Sequence, residues 1–142
     1  MKKIIIFLCL ILSILCLSEC GKNNATANVY IQIGASEEFS EEEIKEAIEL
    51  VKRKFNFQDC KLTKLWYEEE KADQIRESYL NYGRGAINGV KKENVIVILS
   101  EFEVSKFGKN PVLNHGATYS NYGWTLIRSG EKSQWTIDDQ GY

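Results

Sequence analysis

The chain has 142 residues, of which 44% are apolar and 27% are charged, and this composition is typical of a folded soluble domain rather than a disordered or fibrous protein. Its 18 basic and 20 acidic residues give a net charge of −2, and no basic stripe is present to neutralise phosphate groups. Length and charge therefore fit one domain of ordinary size and exclude nucleic acid as a partner.

The N-terminus has the features of an export signal. Two lysines follow Met1, and residues 4–17 form an apolar run interrupted only by Ser13. As a helix, this run would span roughly 21 Å, which is short of the roughly 30 Å hydrocarbon core of a bilayer. We therefore predict a cleaved signal peptide over residues 1–19 and an extracytoplasmic location for the rest of the chain.

The end of the apolar run predicts a lipid tether. The residues LSEC at 17–20, followed by a polar stretch, resemble a bacterial lipoprotein signal, in which Cys20 would carry the lipid. Such a lipid would anchor the protein to the outer face of the cell membrane. Glu19 departs from that pattern, because a small side chain is expected before the cysteine. The alternative is a secreted protein cleaved after Ala27, since ATA at 25–27 has the small-x-small form.

Cysteine usage indicates no disulfide framework. Cys9 and Cys16 lie in the signal peptide, so Cys60 is the only thiol left if Cys20 is lipidated. A nucleophilic Cys60 would need a nearby base, and its sequence neighbours are only Asp59 and Lys61. The sequence therefore predicts that Cys60 is a buried structural residue.

The first elements of the domain are a strand and a well-marked helix. A polar linker over residues 20–28 leads into an alternating stretch at 29–33, which predicts a short strand. Ser40 and Glu43 have the spacing of a capping box at a helix start. One face of this helix carries the apolar residues, namely Ile44, Ala47, Ile48, Val51 and Phe55. The helix therefore needs a partner surface.

The remaining elements alternate strands, turns and one further helix. They are predicted, in chain order, as a strand at 62–67, a helix at 68–80, turns at 81–85 and 88–89, a strand at 94–104, a loop at 105–120 and a hairpin of 122–127 with 134–138. This order predicts an α+β fold for a single small domain over residues 29–142: a curved antiparallel sheet of about four strands wrapping the N-terminal amphipathic helix.

Several segments carry a family resemblance. WTLIR at 124–128 and WTIDDQGY at 135–142 resemble the end of nuclear-transport-factor-two-like (cystatin-like) domains. More narrowly, FSEEEI at 39–44, CKLTKLWY at 60–67 and NVIVILS at 94–100 are similar to a family of small Gram-positive exported lipoproteins of unknown function. The resemblance implies a cone-shaped sheet around the helix, and it brings no activity, catalytic residues or cofactor.

Residues that often carry chemistry are isolated in this sequence. His115 is the only histidine, so a metal site would need ligands from distant segments. The glycine-containing stretch at 82–86 lacks the Lys-Ser/Thr that completes a phosphate loop. Asp138 and Asp139 are neighbours on a predicted strand, where their side chains would point to opposite faces. We therefore predict no cofactor and no metal.

Aromatic residues are numerous for so small a domain. In a cone-shaped fold some would line an open mouth, and the candidate pocket residues are Trp66, Tyr82 and Trp124. The alternative is that these rings pack in the core and at its edges.

Three functional hypotheses follow. The first is a surface-tethered module, more a binder than an enzyme, whose partner is a small molecule or a secreted protein. The second is a small-molecule enzyme that uses Asp138 or Asp139 as its acid or base. The third is an inhibitor or immunity-type protein that captures a secreted partner.

Overall fold

Five strands and three α-helices make up the part of the chain described by the structure, a computed structural model covering residues 24–142. The helices are α1 (Glu41–Lys54), α2 (Glu69–Tyr82) and α3 (Arg84–Asn88). The strands are β1 (Tyr30–Ile33), β2 (Cys60–Tyr67), β3 (Val95–Val104), β4 (Thr118–Ile127) and β5 (Thr136–Gly141). The predicted signal peptide at 1–19 and the predicted lipid site at Cys20 lie outside the described residues.

The strands form one open sheet in the order β1-β2-β3-β4-β5. β1 pairs parallel with β2, and every other pair of neighbours is antiparallel. The α+β prediction is confirmed. The prediction of about four antiparallel strands is wrong in two respects: there are five strands, and β1 is parallel to β2. The parallel pairing arises because α1 connects β1 and β2 and carries the chain back to the starting edge.

The N-terminus of α1 has the predicted capping box. The Ser40 side chain accepts a hydrogen bond from the Glu43 backbone N–H at 3.3 Å, and Glu43 accepts one from the Ser40 N–H at 2.8 Å. All five residues predicted for its apolar face are at most 1% exposed. This face packs on the sheet, where the Phe55 and Trp124 ring centroids lie 6.3 Å apart.

A second helix lies against the other face of the sheet. Trp124 and Gly123 are neighbours on β4, so they point to opposite faces. Trp124 meets Phe55 of α1, whereas the Ile75 side chain of α2 lies 3.2 Å from the position that a Cβ on Gly123 would occupy. Residues 95–100 of β3 are at most 1% exposed between the two helices, as predicted for a central strand covered on each side.

Two predicted boundaries are wrong. Turns were expected at 81–85 and 88–89, but residues 81–82 end α2 and residues 84–88 form the short helix α3, which ends at Gly89 with φ of 68°. β4 begins at Thr118 instead of Tyr122, because Asn121 adopts φ of 58° where the β3–β4 register shifts. Because of this bulge, residues 118–121 pair with β3 although apolar and polar residues do not alternate along them.

The chain enters the sheet through a 3-10 turn at Asn24–Thr26. Ala25 in this turn and Val29 after it pack against the core. No helix within residues 24–142 is long and apolar enough to cross a membrane.

Candidate functional site

The three predicted pocket residues do not share a pocket. Trp124 is 2% exposed and lines a groove on the α1 side of the sheet, whereas Tyr82 is 88% exposed and lines a separate cavity beside α2. Trp66 is buried on β2, where the Lys64 ammonium lies 4.7 Å from its ring centroid. Trp66 lines neither cavity.

The α1–β5 groove is a candidate ligand site in the described part of the chain. It has a volume of about 510 Å³, within the usual range for small-molecule sites. Its lining comes from α1, β4, β5 and the turn before β5, and it consists of Leu50, Lys54, Trp124, Trp135, Thr136, Ile137 and Gln140. Two indole rings form its floor, and the half-buried Leu50 and Ile137 flank them. The groove is thus apolar with a polar rim.

The side chains of Arg128 and Phe39 pack against the Trp135 ring and hold it in place. The Arg128 guanidinium carbon lies 4.4 Å from the Trp135 ring centroid, and the Phe39 ring meets it edge-on at 6.0 Å. Within residues 24–142, Lys54 has no ion-pair partner. The groove therefore keeps one unpaired cation beside an apolar floor.

A wide polar cleft lies behind Trp135, but its main cation is already occupied. The cleft has a volume of about 1050 Å³, and Arg128 is nearly buried in its wall. Arg128 donates to the Glu43 carboxylate at 2.6 Å, to the Glu131 carbonyl at 3.1 Å and to the Glu93 carbonyl at 3.2 Å. These bonds join the β4–β5 hairpin to α1, so Arg128 serves the fold.

Glu43 acts in both the helix cap and this ion pair. Burial raises the pKa of its carboxyl, but hydrogen bonds from Ser40 and Arg128 outweigh burial and hold the pKa below its ordinary value. Glu43 therefore stays ionised and committed to Ser40 and Arg128.

A buried arginine links α2 to the segment before α1. Arg76 is 1% exposed, forms ion pairs with Glu38 and Asp73, and donates to the Val95 carbonyl at 3.4 Å. Its Nε has no partner among the described residues. Lys92 also pairs with Glu38 at 3.0 Å. The sequence held a signal for this cluster, because Arg76 lies four residues after Ala72 and three before Tyr79, on the apolar stripe of α2.

The carboxylate of Asp138 is engaged by two side chains, Tyr79 and Arg84. The Tyr79 hydroxyl donates to it at 2.7 Å, and Arg84 pairs with it at 3.2 Å. Asn88 in turn donates to the Tyr79 oxygen at 3.0 Å. Burial, followed by the bond to Asp138, raises the pKa of Tyr79 to about 12. Asp139 instead accepts from the Gln140 N–H, so the two carboxylates do not act as a pair.

Cys60 and His115 are placed as the sequence predicted. Cys60 is a free, buried cysteine, and burial followed by the Asp59 charge raises the pKa of its thiol, which keeps it protonated and unreactive. His115 lies exposed in the loop after β3, with Nε2 3.1 Å from the Asn110 carbonyl. No group of three or more His, Cys, Asp or Glu residues in the described part of the chain could hold a metal ion.

Sequence reasoning missed the residues that complete the groove. Neither Trp135 nor Lys54 was among the three candidate pocket residues. A signal existed for Lys54, because it directly precedes Phe55 at the end of the apolar face of α1. The sequence alone does not show that α1 and β5 lie next to each other.

Comparison with known proteins gives one match. A family model described as a domain of unknown function (DUF4829) matches residues 24–141. No curated protein and no solved structure matches the chain. The prediction of an uncharacterised family is confirmed at this level. Because the family model covers well over half of the sequence, the chain belongs to the DUF4829 family, whose domain has no assigned function.

Proposed function

We propose that this protein is an exported, surface-tethered module that binds a small molecule in the α1–β5 groove. The observation that carries the proposal is the pairing of an indole floor with the Lys54 ammonium, which has no ion-pair partner within residues 24–142. Aromatic faces bind flat or apolar bodies, and a few placed polar groups fix their orientation. The ligand class is therefore a small molecule with an apolar or aromatic body and one anionic or hydrogen-bond-accepting group.

The chemistry of the groove favours binding over catalysis. Its hydroxyl, on Thr136, donates to the Ile127 carbonyl at 3.2 Å and has no base beside it. Asp138, the acid–base candidate, is engaged by Tyr79 and Arg84 and does not line the groove. A binding role needs only the shape and the cation that are present.

Native mass spectrometry of the mature protein purified from its own cells tests the proposal. We expect a discrete added mass on the parent protein, and its loss in Lys54→Ala, because the ammonium no longer holds the acceptor group of the ligand. The matched control is Lys91→Ala, since Lys91 is also exposed but lies outside the groove. Trp135→Leu should also lose the mass, through loss of the groove floor.

Two outcomes would contradict ligand binding in the groove. One is a parent protein that carries no added mass and gains none from extracts of its own cells. The other is a mass that survives in both Lys54→Ala and Trp135→Leu, which would place the ligand elsewhere. A protein without ligand would direct attention to the inhibitor or immunity-type hypothesis, which capture of a secreted partner would reveal.

The location part of the proposal rests on the signal peptide at 1–19 and a lipid on Cys20. One structural feature supports cleavage before Cys20 over cleavage after Ala27. Ala25 packs against the core, and its 3-10 turn begins at Asn24, so cleavage after Ala27 would remove a docked segment. Intact mass and membrane fractionation test this: the parent should carry a diacylglyceryl mass and Cys20→Ala should leave the membrane. Unchanged retention of Cys20→Ala would reject the lipid tether.

The cystatin-like cone is the finer fold assignment that we propose. Its support is the amphipathic α1 packed on one face of a sheet whose last four strands follow one another antiparallel. An experimental structure would test it through the curvature of β3–β5 around α1. A flat sheet would reject the cone and leave the α+β fold unchanged.

A further inference from the structure

The loop at 105–117, between β3 and β4, exposes two large apolar side chains. Phe107 is 96% exposed and Val112 is 84% exposed. Exposed apolar side chains that lie together mark a surface that meets another apolar phase, whereas single ones are common on soluble domains. The same loop exposes two basic side chains, Lys106 and Lys109.

The loop is braced, so its apolar residues are held outward by an ordered backbone. The Lys109 N–H donates to the Asp59 carboxylate at 2.6 Å, and the Asn110 amide donates to the Gln58 carbonyl at 2.7 Å. Gly108 lies so close to Asp59 that an added Cβ would stand 2.6 Å from the Asp59 Cβ. These contacts hold the loop against the start of β2.

The net charge of the loop is opposite in sign to that of the whole chain. The whole chain has a net charge of −2, yet residues 105–117 contain two lysines, one histidine and no acidic residue. Nearby, Lys61 adds a further positive charge, while Asp59 and Glu103 line the cavity beside the loop. Asp59 is already engaged by the loop backbone. Basic side chains next to exposed apolar ones favour an anionic lipid surface.

The loop is close to the proposed tether. Ala25 lines one cavity together with Ser105, Lys106 and Gly116. Cys20 precedes Ala25 by five residues, which span at most roughly 17 Å when fully extended. A lipid on Cys20 would therefore keep this end of the domain near the headgroups.

We infer that the loop at 105–117 is a membrane-contact loop, in which Phe107 and Val112 enter the interface of an anionic bilayer while Lys106 and Lys109 meet its headgroups. This inference rests on the proposed lipid tether at Cys20. The contact would orient the domain so that the start of β3, at the far end of the strand, faces away from the membrane.

Depth-dependent fluorescence quenching tests the loop. The lipidated protein is reconstituted into phosphatidylcholine–phosphatidylglycerol vesicles with or without brominated acyl chains, as Phe107→Trp and as Ile87→Trp. Ile87 is the matched control because it is 89% exposed on α3, which leads into the opposite end of β3. We expect brominated lipid to quench the added emission of Phe107→Trp and to leave that of Ile87→Trp unchanged. The three native tryptophans are at most 7% exposed and give the baseline.

A second experiment tests the contact between the loop lysines and the headgroups by charge reversal. Lys106→Glu with Lys109→Glu should lower the ratio of docked to undocked loop roughly fivefold per lysine in the anionic vesicles. Lys91→Glu with Lys132→Glu is the matched control, since both lysines are exposed and lie outside the loop. This control should leave the quenching of Phe107→Trp unchanged.

The outcomes separate the loop from the tether. Protein that sediments with the vesicles but shows equal quenching at positions 107 and 87 overturns the membrane-contact loop and leaves the tether standing. Protein that carries no lipid and does not sediment overturns both. Quenching at position 107 that is insensitive to the loop lysines overturns the electrostatic half of the inference.

Discussion

At the scale of single residues, the charged side chains inside this domain each join segments that are distant in the sequence. Arg76 joins α2 to Glu38, Arg128 joins β4 to α1, and Asp138 joins β5 to Tyr79. A charge removed from water is stabilised only by such partners. The sequence showed which residues carry charge, but not which of them the fold would bring together, because the partners lie up to 85 positions apart.

Replacing Arg76 tests whether the buried pair is needed. Arg76→Met should lower the free energy of unfolding by about 1–2 kcal/mol, because Glu38 and Asp73 lose their common partner but are each 34% exposed and partly screened by water. Urea unfolding measures the change, and Arg53→Met, at an exposed position of α1, is the control. A loss no larger than that of the control would mean that the ion pairs contribute nothing to the fold.

Tyr79 gives a prediction in alkali. Its pKa is raised to about 12, so the neutral phenol stabilises the fold below the ordinary tyrosine pKa of about 10. This stabilisation is lost as the pH rises through 10 towards 12. Tyr79→Phe should remove the bond to Asp138, cost about 1.5–3 kcal/mol at neutral pH, and eliminate the latest-titrating phenolate in ultraviolet absorbance.

The control for Tyr79 is Tyr82→Phe, because Tyr82 is 88% exposed. It should leave both stability and the late phenolate unchanged. Equal effects of the two substitutions would show that the bond to Asp138 is not a significant interaction.

At the scale of elements, the sequence predicted best where the signals are local. The start of α1 depends on Ser40 and Glu43, three residues apart, and its apolar stripe repeats with the helix period. α3 and the first residues of β4 were missed for a related reason. Gly85 in α3 and Asn121 in β4 favour turns locally, and tertiary contacts override them: Gly85 packs under the Tyr79 ring, and Asn121 forms a bulge against β3.

The capping box can be tested against a matched serine. Ser40→Ala should cost about 1 kcal/mol, because the Glu43 backbone N–H at the start of α1 loses its side-chain acceptor. Ser78→Ala, at an exposed interior position of α2, should be neutral or slightly stabilising. Thermal or urea unfolding measures both. Equal effects would mean that the Ser40 cap does not hold α1 in place.

At the scale of the whole molecule, pairing order and the groove were beyond sequence analysis. Nothing in residues 30–33 distinguishes a parallel partner from an antiparallel one, since four alternating residues satisfy either ladder. The groove arises because pairing of β3, β4 and β5 brings Trp135 beside the C-terminal half of α1. The sequence predicts α1 and the hairpin as amphipathic segments, but the groove between them forms only when the sheet is assembled.

Acid stability should reflect two carboxylates that join separate parts of the molecule. Burial raises the pKa of Glu38 and Glu43, but Lys92 and Arg76 beside Glu38, and Ser40 and Arg128 beside Glu43, outweigh burial and hold both pKa values below the ordinary glutamate value. A lowered pKa stabilises the fold above the unfolded value, and this stability is lost as the pH falls through 4.5 towards the folded pKa.

Urea midpoints measured across that pH range check this expectation. The parent should lose stability below pH 4.5, and a Glu38→Gln, Glu43→Gln double variant should be less stable at neutral pH but less sensitive to acid. The control is Glu46→Gln, an exposed residue of α1. An equally steep acid loss in the double variant would assign acid unfolding to other groups.

The edge position of β1 has a mechanical consequence. This four-residue strand has only β2 as a neighbour, and it is the first strand after the N-terminal end of the domain. A pulling force applied at that end would act first on the docked turn at Asn24–Thr26 and then on the few hydrogen bonds of the β1–β2 ladder. Release of β1 would lengthen the N-terminal lead by several residues, while the β2–β5 hydrogen bonds and the contact of α1 with β3 remain in place. Under such a force, the turn and β1 would therefore detach before the core unfolds.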